Sequence, residues 1–346
     1  MSEIGIDLRR AEAIFSRLIK SYREKSQPYD RVILPQSPQN MPKTLLYGSA
    51  SHALFLFCSC YFMRGSIKSD FVIRQLARIF DNYPELFVPK NFANGKVDSS
   101  YVSRTLEHNG FAYKADEVGH WWESNLVKLY RFWDGNPVNL FRNVSSYQDA
   151  CNIMLIKSYH TNHSTGFMGF RSKLTSMLIY FLVDAGMIKS FLFPIPTDFH
   201  VFRILVSNRI IFEAQPNQNV NFYQSYKRSA PAMDAIRNIF TRYCERYNVE
   251  PVELDNALWI LSRTLCRLNP GNRVSRLNRG SKIEFFPVPL NWTGSQIRAY
   301  NKSCAICPIE NTCYYNVPFA PYHVAGKIII TGKREKPPLQ IKLFEP

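Results

Sequence analysis

Gly166-Phe-Met-Gly169-Phe-Arg171-Ser-Lys173-Leu-Thr-Ser-Met-Leu-Ile-Tyr-Phe-Leu182 is the stretch on which the fold of this 346-residue chain turns. Two glycines in a short turn precede an apolar run, so residues 165–172 read as a turn and Lys173–Val183 as a helix. A helix that starts after such a turn has backbone N–H groups to spare. Those groups can hold a phosphate without reading a base. Further on stands Phe193-Pro-Ile-Pro196-Thr-Asp198-Phe-His200-Val-Phe-Arg203. The Pro-x-Pro element ends the preceding segment, and Asp198 then heads a helix that carries His200 and Arg203. A carboxylate in that place is most often an N-cap. Thr197 can fill the same role, which would leave Asp198 available for chemistry.

The second informative stretch is Cys304-Ala-Ile-Cys307-Pro-Ile-Glu-Asn-Thr-Cys313, with Cys266 upstream and residues 267–303 between. A tight turn at C-x2-C points both sulfurs inward, so these thiols can close around one metal centre. Four thiolates suit a [4Fe–4S] cluster or a structural zinc, and a zinc ribbon would normally bring a second C-x2-C pair, which the chain lacks. The cysteines alone leave iron–sulfur, zinc and unligated thiols all open.

Composition narrows the class. Apolar residues make up 46% of the chain, which marks it as globular. The net charge is +16, from 43 Lys and Arg against 27 Asp and Glu. That balance favours a polyanionic partner, nucleic acid first and an acidic membrane surface second. Eight cysteines in so long a chain do not make a disulfide scaffold, and Cys58, Cys60, Cys151 and Cys244 read as buried thiols. A reducing, intracellular and cytoplasmic setting is expected, with no secretory signal visible. The apolar runs Ala53–Met63 and Met177–Val183 are too short to span a bilayer, so no membrane association is expected.

The chain reads as mainly α. Helical patterns cover 5–24, 50–63, 68–83, 99–115, 119–134, 147–159, 232–247 and 251–266, and residues 25–45 read as a connector. Trp121, Trp122 and Trp133 fall at helical spacing and read as core more readily than as base-stacking platforms. A β-hairpin-like tail is expected at Lys327–Thr331 and Leu339–Leu343.

The order of these signals resembles the helix–hairpin–helix DNA glycosylase superfamily, in its iron–sulfur branch typified by endonuclease III. The resemblance runs over roughly residues 50–315. It is carried by Gly169-Phe-Arg-Ser-Lys173, Asp198-Phe-His-Val-Phe-Arg203, Leu258-Trp-Ile-Leu-Ser-Arg-Thr-Leu-Cys266 and Cys304-x2-Cys307-x5-Cys313, in one order. The family's hairpin reads Leu-Pro-Gly-Val-Gly-x-Lys-Thr, its later segment Val-Asp-Thr-His-Val-x-Arg, and its cluster loop C-x6-C-x2-C-x5-C. Here the hairpin lacks Leu-Pro and has one well-placed glycine, so Arg171 competes with Lys173 for the lysine position. An insertion near Gly186–Pro194 lengthens the path to Asp198. The stretch 267–303 after the first cysteine is far longer than in the family. It holds Arg267, Arg273, Arg276, Arg279, Lys282, Arg298 and Lys302 against the single acid Glu284, and reads as a basic loop.

The resemblance implies a two-lobed helix–hairpin–helix glycosylase fold with a C-terminal [4Fe–4S] cluster loop held by Cys266, Cys304, Cys307 and Cys313. Zinc remains the alternative metal. Residues 1–49 would pack on the cluster lobe. Residues 50–185 would form a helical domain with the helix–hairpin–helix near 165–183. Residues 186–346 would carry the catalytic Asp, the cluster, the insertion and a tail. The partner would be double-stranded DNA with a damaged or modified base, bound by a monomer associated with the nucleoid. Gly166, Gly169, Arg171, Arg273, Arg276 and Arg279 would contact DNA, and Arg64 would fill the gap left by a flipped base. Asp198 would stabilise positive charge developing on the sugar or deprotonate the nucleophile. Lys173 would attack as an amine, giving base excision with abasic-site lyase activity. The alternatives are a monofunctional glycosylase using Asp198 and water, and a catalytically silent iron–sulfur nucleic-acid-binding protein.

Overall fold

The computed structural model describes residues 4–63, 68–112, 114–156, 164–198, 200–201, 204–205, 208, 210–213, 230–265, 282–287, 305–313 and 326–331. The described residues are mainly helical. They belong to two compact units, one formed by Met1–Val32 with Thr197–Pro346 and the other by Ile33–Pro196. Residues 33–49, read from the sequence as part of the N-terminal segment, therefore belong with the second unit.

In the unit of residues 33–196, helix α2 (Ala50–Ser59) is the centre. Ser49 caps it by accepting a hydrogen bond from the His52 N–H at 3.2 Å. Every side chain from Ala53 to Met63 is buried, which is why this stretch is apolar all round rather than on one stripe. Against it pack α3 (Ser69–Asn82) and α8 (Ser172–Asp184), α7 (Tyr147–Met154) packs on α8, and α6 (Ala115–Trp133) packs on α4 (Pro89–Ala93) and α5 (Ser99–His108). Helix α3 is amphipathic, burying Val72, Ile73, Leu76, Ile79 and Phe80, and Pro84 begins the turn that follows it. Helix α5 stops at His108, short of the expected 115, because Asn109-Gly110 breaks it. Helix α7 stops at Met154, where Leu155 turns extended; residues 157–159 of its expected span lie outside the described residues. An aromatic core ties α2 to the turn before α8. The Phe57 ring lies 4.8 Å from Phe170 and 5.8 Å from Phe167, edge-on to the latter.

In the unit formed by 1–32 with 197–346, α1 (Leu8–Arg23) packs on α9 (Ala230–Tyr247) and α10 (Pro251–Thr264). Asp7 caps α1 through the Arg10 N–H at 2.9 Å. Its stripe of Ala11, Ile14, Phe15, Leu18 and Ile19 is buried. Phe15 meets Phe240 at 5.7 Å and the Tyr243 edge at 5.2 Å. Arg23 donates to both carboxylate oxygens of Glu253, at 2.9 and 2.7 Å.

Two short antiparallel pairs complete the description. Strand β1 (Ile4–Ile6) pairs with β2 (Ile211–Glu213), and β3 (Lys282–Pro287) pairs with β4 (Gly326–Thr331). The second pair corrects the reading of 267–303 as a loop. The strand at 326–331 pairs with 282–287, and Leu339–Leu343, the partner expected from the sequence, lies outside the described residues. The stretch 267–303 is thus not a loop throughout. Strand pairing between distant segments is set by register and edge availability, which local alternation does not encode. Among the described residues no helix is long and apolar enough to cross a membrane.

Candidate functional site

The turn 164–171 is held by one face of α6. Gly166 and Gly169 both have left-handed φ, +75° and +79°. Space as well as φ demands glycine here. A Cβ on Gly169 would lie 2.5 Å from Cε3 of Trp121, and one on Gly166 would lie 2.9 Å from Cγ1 of Ile156. The sequence reading counted one well-placed glycine; the structure uses two. Asn125 binds the Met168 peptide at both ends. Its Oδ1 accepts from the Met168 N–H at 2.8 Å, and its Nδ2 donates to the Met168 carbonyl at 2.9 Å and to the Tyr61 hydroxyl at 2.8 Å. Lys128 Nζ donates to the carbonyls of Thr165 and Gly166, at 3.1 and 2.5 Å, and lies 5.5 Å from the Phe167 ring centroid. Burial pushes the Lys128 pKa below the ordinary lysine value. Trp133 Nε1 donates to the Ser164 carbonyl at 3.2 Å.

Phe167 and Phe170 are buried under the turn. Exposed Arg171 is the N-cap of α8, and its side chain makes no capping hydrogen bond. The start of a helix is a position whose N–H groups and dipole favour an anion. Lys173 is the second residue of α8. It is partly buried, and its Nζ donates to the Met63 carbonyl at 3.0 Å. Arg64, the next residue after Met63, lies outside the described residues.

In the other unit, Asp198 does cap a helical segment. Its Oδ1 accepts from the N–H groups of His200 at 2.8 Å and Val201 at 3.0 Å. Thr197 does not take that role through these two N–H groups. Among the described residues, Asp198 Oδ2 makes no hydrogen bond. Capping thus orients the carboxylate and leaves one oxygen for other chemistry. His200 Nδ1 lies 3.3 Å from the Ser262 hydroxyl on α10, and its ring meets Trp259 edge-on at 6.2 Å. Arg203 lies outside the described residues.

Of the four candidate ligand cysteines, Cys307 and Cys313 are described. They flank the 3-10 turn Glu310–Thr312, both partly exposed, with Ile309 buried between them. The Cys313 N–H donates to the Ile309 carbonyl at 2.8 Å. Two thiols on one tight turn fit a thiolate-held metal group in donor chemistry. Cys266, two residues after the end of α10, and Cys304 lie outside the described residues, as do Arg273, Arg276 and Arg279. Among the described residues no three His, Cys, Asp or Glu gather as metal ligands. Cys58, Cys60 and Cys244 are buried, and burial raises their thiol pKa values, that of Cys244 to about 12.

Sequence reasoning missed Asn125 and Lys128. They share one side of a helix with Trp121, but nothing local says that side holds a turn some forty residues away. Trp122 is fully buried and donates to the Leu86 carbonyl at 2.8 Å, a core residue as read. Trp121 and Trp133 instead brace the turn. Compared with known proteins, the chain matches no family model and no curated protein.

Proposed function

We propose that the chain is a base-excision DNA glycosylase of the helix–hairpin–helix kind with an iron–sulfur loop. The observation that carries this reading is the turn 164–171. It is fixed by α6 through Asn125 and Lys128 and leads into the start of α8, beside Arg171 and Lys173. Such a turn suits a phosphate of a DNA backbone, and the net charge of +16 suits a polyanion. Asp198, with one oxygen held and the other available, supplies a carboxylate to steady the positive charge that develops on the sugar as the base leaves.

Lys173 supplies the amine that attacks C1′. The glycosidic C–N bond breaks and the base leaves with its electron pair, taking up a proton. The attacking nitrogen gives up a proton, the C1′–O4′ bond breaks with O4′ becoming a hydroxyl, and the protonated Schiff base forms. Loss of a C2′ proton then breaks the C3′–O bond, which is the lyase step. Cys266, Cys304, Cys307 and Cys313 would hold a [4Fe–4S] group, which would supply a structural cross-link when bound.

A second reading is favoured by one bond. Lys173 Nζ is engaged with the Met63 carbonyl, the contact of a structural ammonium. On that reading Asp198 directs water and the enzyme is monofunctional. Borohydride trapping on a duplex with a plain abasic site separates the two. A covalent adduct lost in Lys173→Ala supports the lyase. An adduct that survives, or none at all, removes Lys173 from the reaction. Asp198→Asn then tests the glycosylase itself: base release should collapse while DNA binding persists.

A further inference from the structure

Arg10 lies in the first turn of α1, and its guanidinium reaches two distant backbone carbonyls. Nε donates to Asn208, and Nη2 donates to Thr312 at 2.6 Å. Asn208 follows Asp198 by ten residues in the chain. It is fully buried, and its backbone N–H and Nδ2 both donate to the Ile204 carbonyl, at 3.1 and 2.9 Å. Thr312 ends the 3-10 turn and immediately precedes Cys313. The two carbonyls thus belong to the backbone at Asn208, which packs on Ile204, and to the cysteine loop.

The surroundings make Arg10 the link. The Asp7 N–H donates to the Ile210 carbonyl at 2.9 Å, and β1 pairs with β2, so the start of α1 already grips residues 210–213. Arg17, farther along α1, donates to the Thr312 hydroxyl at 3.3 Å. Among the described residues it makes no bond to 200–211. Arg10 is the residue that holds both. A planar guanidinium presents its N–H groups in a fixed fork, so movement of one acceptor is felt at the other. Bonds from a charged donor are also stronger than neutral ones, which favours a stiff link.

We propose that Arg10 is a positioning residue that couples the cysteine loop to the buried backbone at Asn208, which follows Asp198 in the chain. The inference deepens the glycosylase reading, since it names what keeps that backbone in step with the loop. The coupling itself requires no reaction and no bound metal.

Amide hydrogen exchange on the full chain tests it as a cycle of two substitutions. Ile309→Ala loosens the loop at its buried anchor, where Ile309 is 1% exposed. In the native background, exchange should speed both in 305–313 and at 204–211, by about tenfold at the latter, as for a charge-assisted hydrogen bond lost. In an Arg10→Lys background, which cannot bridge two carbonyls, Ile309→Ala should still speed the loop but add nothing at 204–211. Arg10→Gln serves as the second variant if Arg10→Lys does not fold. Equal acceleration of 204–211 in both backgrounds would overturn the proposal, and so would none in the native one. A merely structural arginine would raise exchange without this non-additivity. Failure of the glycosylase reading is seen separately, as base release unaffected by Asp198→Asn.

Discussion

At the scale of single residues, two positions hold conformations that their neighbours impose. Gly169 sits at φ +79° against the Trp121 ring. An alanine there meets both a disfavoured backbone region and the indole, so Gly169→Ala should cost about 2 kcal/mol or more in unfolding free energy. Denaturant melts read this directly, and an unchanged midpoint would show that the turn can rearrange. His52 is the second position. It is fully buried, its Nδ1 accepts from the Gly48 N–H at 3.1 Å, and its Nε2 has no partner among the described residues. Burial lowers its pKa from 6.5 to about 4. The folded pKa lies below the unfolded one, so the stability of the neutral ring is fully present above pH 6.5. It is lost as pH falls toward 4, on the order of 3 kcal/mol in all. Native protein should therefore lose more stability between pH 7 and 5 than His52→Gln does. Equal losses would assign the pH dependence to carboxylates alone.

At the scale of elements, α6 is a brace rather than a mere core helix. Asn125, Lys128 and Trp133 give their polar atoms to the turn before α8, while Trp122 gives its ring to the core. Replacing Lys128 by Met keeps the length of the side chain and removes both bonds to the Thr165 and Gly166 carbonyls. If the proposed DNA partner is right, Lys128→Met should weaken duplex DNA binding about tenfold while helical content stays, and Lys128→Arg should recover part of the loss. Affinity that does not change on Lys128→Met would mean the turn is not where DNA is held. The helices themselves were mostly legible in the sequence, because stripes such as Ile14, Phe15, Leu18 and Ile19 in α1 follow the 3.6-residue period and decide which face is buried. The ends were less legible where a break is a single Asn-Gly, as after α5.

At the scale of the whole molecule, the charge of +16 is the property that belongs to no single element. If the partner is DNA, affinity should fall steeply with salt, on the order of a thousandfold from 50 to 200 mM for six or more phosphate contacts. A titration at several salt concentrations gives the slope, and a flat profile would argue against a backbone-binding surface. The sequence by itself determined the helical class, the apolar stripes, the position of Asp198 at the head of a helix and the cysteine spacing. These depend on neighbours within a turn or two of chain, and short-range periodicity and capping chemistry record them. Only the tertiary structure decided that Gly166 and Gly169 both need positive φ, that Asn125 and Lys128 hold the turn, and that 282–287 pairs with 326–331. The same holds for Arg10, which joins Asn208 to Thr312. Each of these joins residues far apart along the chain. Which distant donor meets which carbonyl is set by packing of the whole unit, and no local pattern carries that choice.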